Sequence, residues 1–251
     1  MKLISVKEQV SEEEWKLRCD LAASYRMAAV YGWEDLIFTH FSARIPGPDH
    51  HFLINPFGLF FEEITASSLL KVDLEGRVLI KSDYLFNPAG FVIHGAIHGA
   101  RDDAMFIMHT HTVEGMAISA QKEGLLPITQ TALSVGSDLA YHMYEGIVLD
   151  VPERQRLLHN VGDKNNVIFK NHGLMSLGQT IGEAFVRLFF LQKACETQVM
   201  AQAGGGALII PPEEVISRVD QQTISNGPIM AHLTWEAVLR KAERDFSCYK
   251  S

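Results

Sequence analysis

The period of the apolar positions changes several times along this chain, and each change marks an element. Trp15, Leu17, Leu21 and Tyr25 recur at helical spacing behind Ser11 and Glu14, which stand at capping-box distance. This predicts an amphipathic helix through about Tyr31, ended by Gly32. Over residues 36–80, short apolar runs (LIFTHFSARI, HFLINP, GRVLI) alternate with Pro46-Gly47-Pro48, Pro56 and Gly58, which is the chemistry of strands and turns. Asn87-Pro88 opens a second helix to about Arg101, with the proline in the first turn, where its missing N–H costs little. AMFIMHTH reads as a strand and TVEGMAISAQ as a helix.

Further on, GIVLD reads as a short strand, and Pro152 begins a helix to about Val161. NVIF is a buried strand running into the turn KNHG. Thr180 and Glu183 repeat the capping-box spacing and open a long helix to Ala203, which AGGG stops. Trp235, Val238, Leu239, Ala242 and Phe246 predict a last helix from Thr234, whereas residues 204–233 read as irregular, an excursion or a tail wrapped on a neighbour. No repeat or linker interrupts this alternation. It predicts one α/β domain over residues 1–251, with 204–251 as a C-terminal extension.

Composition narrows the function classes. The chain has 251 residues, 47% apolar and 21% charged, with a net charge of −8. Lys and Arg are scattered singly, so nothing points to nucleic acid or an anionic membrane. Three widely spaced cysteines argue against a disulfide framework. MKLISVKEQVSEEEWK lacks the apolar core of a signal peptide, and no segment is apolar enough for a membrane span, so the expectation is a cytoplasmic protein.

Histidines carry the candidate chemistry. On a strand, His109 and His111 share a face, so two imidazoles can converge on one ion; the alternative is a hydrogen-bonded pair at a strand end. His172, followed by Gly173 at a sharp turn, is a third candidate, and three histidines with a vacant fourth position match a catalytic zinc site. His94 and His98 lie four apart on one helical face, but Gly95 and Ala96 stand where H-E-x-x-H has its acid. Rings packed under the sheet are therefore the favoured reading for that pair. His40, beside Thr39 and Ser42, forms a polar knot and a candidate pocket wall. His50, His51, His142, His159 and His232 read as surface or solvated. The chain has no G-x-S-x-G, Walker loop or G-x-G-x-x-G.

The order NPFGL from Asn55, NPAG from Asn87 followed by His94, then HTH and NHG, resembles the class II aldolase/adducin family, in its adducin-like bacterial branch, over about Leu17–Met200. The resemblance implies a three-layer α/β/α sandwich with a largely antiparallel sheet, in a homo-oligomer, usually a tetramer. It implies that His109, His111 and His172 hold a divalent ion, most often Zn²⁺. Its enzymes act on sugar phosphates as carbon–carbon lyases or isomerases, the ion polarising a substrate carbonyl. His40, Ser42, Asn55, Gly58, Asn87 and Ala89 then become the substrate-pocket candidates.

Two departures from the family bear on activity. Gly90 stands where its aldolases carry a carboxylate, and Thr131 stands where several carry a tyrosine. Glu114 and His94 are the candidates for the proton carrier, although Glu114 also fits the solvated first turn of a helix. The expected function is a metal-dependent lyase or isomerase on a small hydroxy-carbonyl compound. The alternative is a non-catalytic binding domain like the adducin head, with cytoskeletal or actin association. That head carries a basic tail, and the ending RDFSCYKS has none, which favours the enzyme.

Overall fold

A computed structural model describes residues 5–146 and 151–251. A four-residue helix α1 (Val6–Gln9) precedes α2 (Glu12–Val30), the first helix read from the sequence. Ser11 caps α2 by accepting from the Glu14 N–H at 3.1 Å. The reciprocal half of the expected box is not formed, because the Glu14 carboxylate turns inward to Arg18 (3.0 Å) and Lys71 (2.7 Å). Arg18 is fully buried and donates to the carbonyls of Ala66 and Leu69, which fastens α2 to the chain entering the sheet.

The elements then run β1 (His40–Arg44), β2 (Phe52–Ile54), β3 (Leu70–Val72), α3 (Pro88–Ala100), β4 (Phe106–Thr110), α4 (Val113–Ser119), α5 (Gln130–Gly136), β5 (Leu139–His142) and α6 (Val151–Val161). They finish with β6 (Asn166–Phe169), β7 (Gly173–Gly178), α7 (Ile181–Ala203) and α8 (Glu213–Phe246). The strand expected in GIVLD falls on residues 147–150, outside the described residues. The GRVLI run forms only an isolated bridge, Val72 to Val78.

Among the described residues seven strands lie in the order β3-β2-β1-β4-β7-β6-β5, and of their pairings only β5–β6 is parallel. Alternate residues point to opposite faces, so each strand feeds two cores. Phe41, Met108, Ile168 and Leu174 pack with α2, α7 and α8, whereas Ile107, Val167, Met175 and Leu177 pack with α3 and α6. The architecture is the expected three-layer α/β/α sandwich with a largely antiparallel sheet.

Residues 204–233 differ from the expectation. Gly204 and Gly205 do end α7, but one helix runs unbroken from Glu213 to Phe246, through Pro228. Its buried side chains are Ala231, Trp235, Val238 and Ala242. It packs on α2, α5 and α7, so it belongs to the same body as the sheet. Its approach to α7 needs Gly182, where a Cβ would lie 2.6 Å from the Ala231 carbonyl oxygen.

Candidate metal centre

Central β4 places His109 on the α3/α6 face, paired with His40 on β1 and with Met175 on β7. The chain continues past the strand end to His111, whose ring turns back on the first. The β6–β7 turn supplies His172. The left-handed backbone there belongs to Asn171 (φ 58°), while Gly173 serves close approach: a Cβ on it would lie 2.4 Å from the Thr110 carbonyl oxygen.

The three expected ligands meet at their Nε2 atoms. His109 Nε2 is 2.8 Å from His111 Nε2, which is 2.9 Å from His172 Nε2. The opposite nitrogens have fixed partners: His109 Nδ1 donates to the Leu174 carbonyl at 2.9 Å, and His111 Nδ1 donates to Asp35 Oδ2 at 3.0 Å. A neutral imidazole carries one N–H, so both Nε2 atoms present lone pairs to each other. Burial holds His109 well below its ordinary pKa and, with the neighbouring His111, pushes His172 down to about 4. Two Nε2 lone pairs facing at this distance repel unless a cation sits between them. A divalent ion fits the donor set, because the Nδ1–H bonds to carbonyl and carboxylate are the kind that orient ligating histidines. Among the described residues, these three histidines form a group whose ligand atoms lie within 4.8 Å of one another.

A second histidine cluster adjoins the triad. His40 Nδ1 is 2.9 Å from His94 Nε2, Ser42 Oγ is 2.5 Å from His94 Nδ1 and 2.7 Å from His98 Nε2, and His98 Nδ1 is 2.9 Å from the Ala104 carbonyl. All four side chains are buried, so the reading of His94 and His98 as rings packed against the sheet agrees with the structure. Ser42 links the two rings.

The remaining candidates are scattered. Asn55 is buried and accepts from the Tyr25 hydroxyl at 2.9 Å. Gly58 sits at φ 108° beside open space. Asn87 caps α3 by accepting from the Ala89 N–H at 3.1 Å, and its amide donates to the Phe38 carbonyl. Glu114 lies apart from the triad's ligand group and accepts from Gln192 of α7 at 3.3 Å. Thr131 lines a cavity of about 1180 Å³ between α5, α7 and α8, which none of the histidines lines.

Two residues near the site lack a matching signal in the sequence. Asp35 carries no spacing signal, since 76 residues separate it from His111. His142, expected at the surface, is 3% exposed and accepts from Asn160 at 2.9 Å, because β5 places it beside Phe169.

Known proteins share this arrangement of elements. The profile of the class II aldolase and adducin N-terminal domain matches residues 19–199. A crystal structure of an aldolase II superfamily protein from Pseudomonas syringae is 49% identical, with a TM-score of 0.93 over 98% of this chain and 99% of that one. The L-fuculose 1-phosphate aldolase of Glaciozyma antarctica PI12 is 28% identical, with a TM-score of 0.81 over 98% of this chain and 96% of that one. Mouse alpha-adducin is 48% identical over 194 residues, which span 75% of this chain and 26% of the adducin.

Proposed function

Since the chain belongs to the class II aldolase and adducin N-terminal domain family, we propose that His109, His111 and His172 hold one divalent ion, Zn²⁺ first, and that the protein is a metal-dependent lyase or isomerase. Its substrate is a small hydroxy-carbonyl compound, and the enzyme works as a homo-oligomer. The observation that carries this reading is the meeting of three Nε2 atoms, on one buried and two half-buried rings, two of which are locked by their Nδ1–H bonds. The ion would supply polarisation of a bound carbonyl.

The chain's own residues do the remaining work. Asp35 and the Leu174 carbonyl keep the two Nε2 lone pairs aimed inward. His40 and Ser42, on the face of the sheet that carries His109, form the inner wall of the proposed pocket, with Asn55, Gly58, Asn87 and Ala89 as its outlying candidates. His94 reaches a ligand only through His40, since both its nitrogens are engaged. Glu114, held by Gln192, is the weaker candidate for proton transfer. The similarity to the L-fuculose 1-phosphate aldolase supports an aldol-type reaction, while Gly90 in the place of the usual carboxylate points to a substrate or proton route of its own.

Elemental analysis of the untagged protein and of His111→Ala tests this reading. We expect about one divalent ion per chain, lost in the variant together with any carbon–carbon lyase activity. Activity that survived His111→Ala would refute the metal mechanism. The match to alpha-adducin favours a second reading, a binding domain without catalysis. Under that reading, His111→Ala leaves partner binding intact.

A further inference from the structure

Strand β6 alternates across the sheet. Val167 and Phe169 pack on the α3/α6 side, so Asn166 and Ile168 face the opposite layer of helices. Asn166 thereby lines the cavity of about 1180 Å³ between α5, α7 and α8, although it is only 1% exposed. Its amide is held one way round: Nδ2 donates to the Asp138 carbonyl at 3.0 Å, and the reversed amide would set two acceptor oxygens against each other. Oδ1 is therefore an acceptor, and it is buried without a hydrogen-bond partner. Buried acceptors in this condition are rare and costly. The sheet end of the cavity lacks one donor.

The opposite wall lacks another. Pro228 lies inside α8 and has no N–H, so the Ile224 carbonyl loses the donor that the helix would ordinarily supply. Ile224 and Pro228 both line the cavity. The charges of the lining point the same way, since Asp138, Asp163, Glu183 and Asp220 outnumber Lys164 and Arg187. Both cations are already engaged. Arg187 Nη1 donates to the Leu177 carbonyl at 2.7 Å and lies 3.5 Å from Glu183, and Lys164 lies 3.3 Å from Asp163. Asp220 accepts from Ser137 and is paired with no cation among the described residues. Between these polar groups Leu133, Val186, Phe190 and Val219 supply apolar walls.

We propose that this cavity is a second ligand site, which takes a primary amine on an apolar body. The ammonium donates to Asn166 Oδ1 among the carboxylates, and the apolar part lies between α7 and α8. An ammonium has three donors and no acceptor, which matches orphaned acceptors in a lining of negative charge. An anionic ligand would meet repulsion there. None of the triad histidines lines the cavity, so the site does not depend on the metal-centre reading.

The test titrates the full chain calorimetrically with phenethylamine and with phenylpropionate, which share a ring and differ in the charge they carry. The amine should bind at least about 10-fold more tightly. Asn166→Leu keeps the size of the side chain and removes the acceptor, and it should weaken the amine by about 10-fold. Asn166 also holds the Asp138 carbonyl, so a second variant works from the opposite wall. Val219→Trp, at a half-buried position of α8, fills the cavity and should abolish amine binding with Asn166 intact. Equal binding of the two probes, or amine binding that survives Val219→Trp, would overturn the assignment. So would the absence of amine binding together with a smaller assembly of Val219→Trp in sedimentation, which would make the cavity a contact between copies of this chain.

Discussion

Asp35 Oδ2 accepts the Nδ1–H of His111 at 3.0 Å and joins the loop between α2 and β1 to the triad. Asp35 is 42% exposed at its side chain and His111 is 16%, so the bond sits at the rim of the site, where it fixes the ring without closing access. Its effect is on the tautomer: with Nδ1 committed to the carboxylate, Nε2 keeps its lone pair for a ligand role.

Asp35→Ala should therefore weaken divalent-metal binding by about 10–100-fold while leaving the fold intact. Competition against a chromogenic chelator measures this directly. Asp35→Asn should fall between wild type and Asp35→Ala, because an amide oxygen still accepts from Nδ1 but carries no charge. An unchanged affinity in Asp35→Ala would show that the carboxylate does not orient His111.

The contact between α7 and α8 depends on Gly182, since a Cβ there meets the Ala231 carbonyl oxygen at 2.6 Å and Trp235 Cβ at 3.0 Å. Gly182→Ala gains about 1 kcal/mol of helix propensity but overpacks a helix crossing, at a cost of about 1–3 kcal/mol. The steric term wins because the nearest atom is backbone. Urea unfolding should show lower stability, with metal content per chain unchanged. A stabilised Gly182→Ala would mean that α8 is free to move away.

These two sites show what was legible in the sequence. The strand carrying His109, the caps at Ser11, Asn87 and Thr180, and the convergence of three histidines were readable, because period, capping chemistry and ligand spacing are local signals. The length of α8 was not. Its fully buried stripe begins only at Ala231; upstream, Val215, Ile216 and Val219 are half-buried and Ile224, Ile229 and Met230 exposed, so the first half offers only a short apolar stripe, and Gly227-Pro228 reads as a break. Strand β7 (GLMSLG) is buried along its whole length, which removes the alternation that marks a strand. Asp35, and the packing of His40 into the space beside Gly90, depend on contacts between distant segments and have no sequence spacing to betray them.

His98 makes stability depend on pH in a stated direction. Burial lowers its folded-state pKa from 6.5 to about 3. Between those values the unfolded chain binds a proton that the folded chain refuses. The contribution is therefore fully present above about pH 6.5 and is lost as pH falls toward about 3, at about 1.4 kcal/mol per pH unit for each such ring. Urea midpoints taken between about pH 7 and about pH 5 should decline for the wild-type protein, and the decline should be shallower in His98→Phe. Equal slopes would show that His98 titrates normally in the folded protein.

Ser42 links the rings of His94 and His98, and its removal tests the direction of those bonds. His98 Nδ1 donates to the Ala104 carbonyl, which leaves Nε2 to accept from Ser42. In Ser42→Ala, His98 Nε2 loses its donor and His94 Nδ1 loses its acceptor, and both atoms lie in fully buried residues. Each orphaned group costs about 1–3 kcal/mol, so Ser42→Ala should be strongly destabilising for a change of one oxygen atom. The cost should not add to that of His98→Phe, because the phenyl ring no longer presents an acceptor that needs the serine hydrogen. A double-mutant cycle on urea unfolding should give a coupling of about 0.5–3 kcal/mol between the two positions. Zero coupling would mean that Ser42 does not donate to His98. The Ala104 carbonyl would then not be what sets the His98 tautomer.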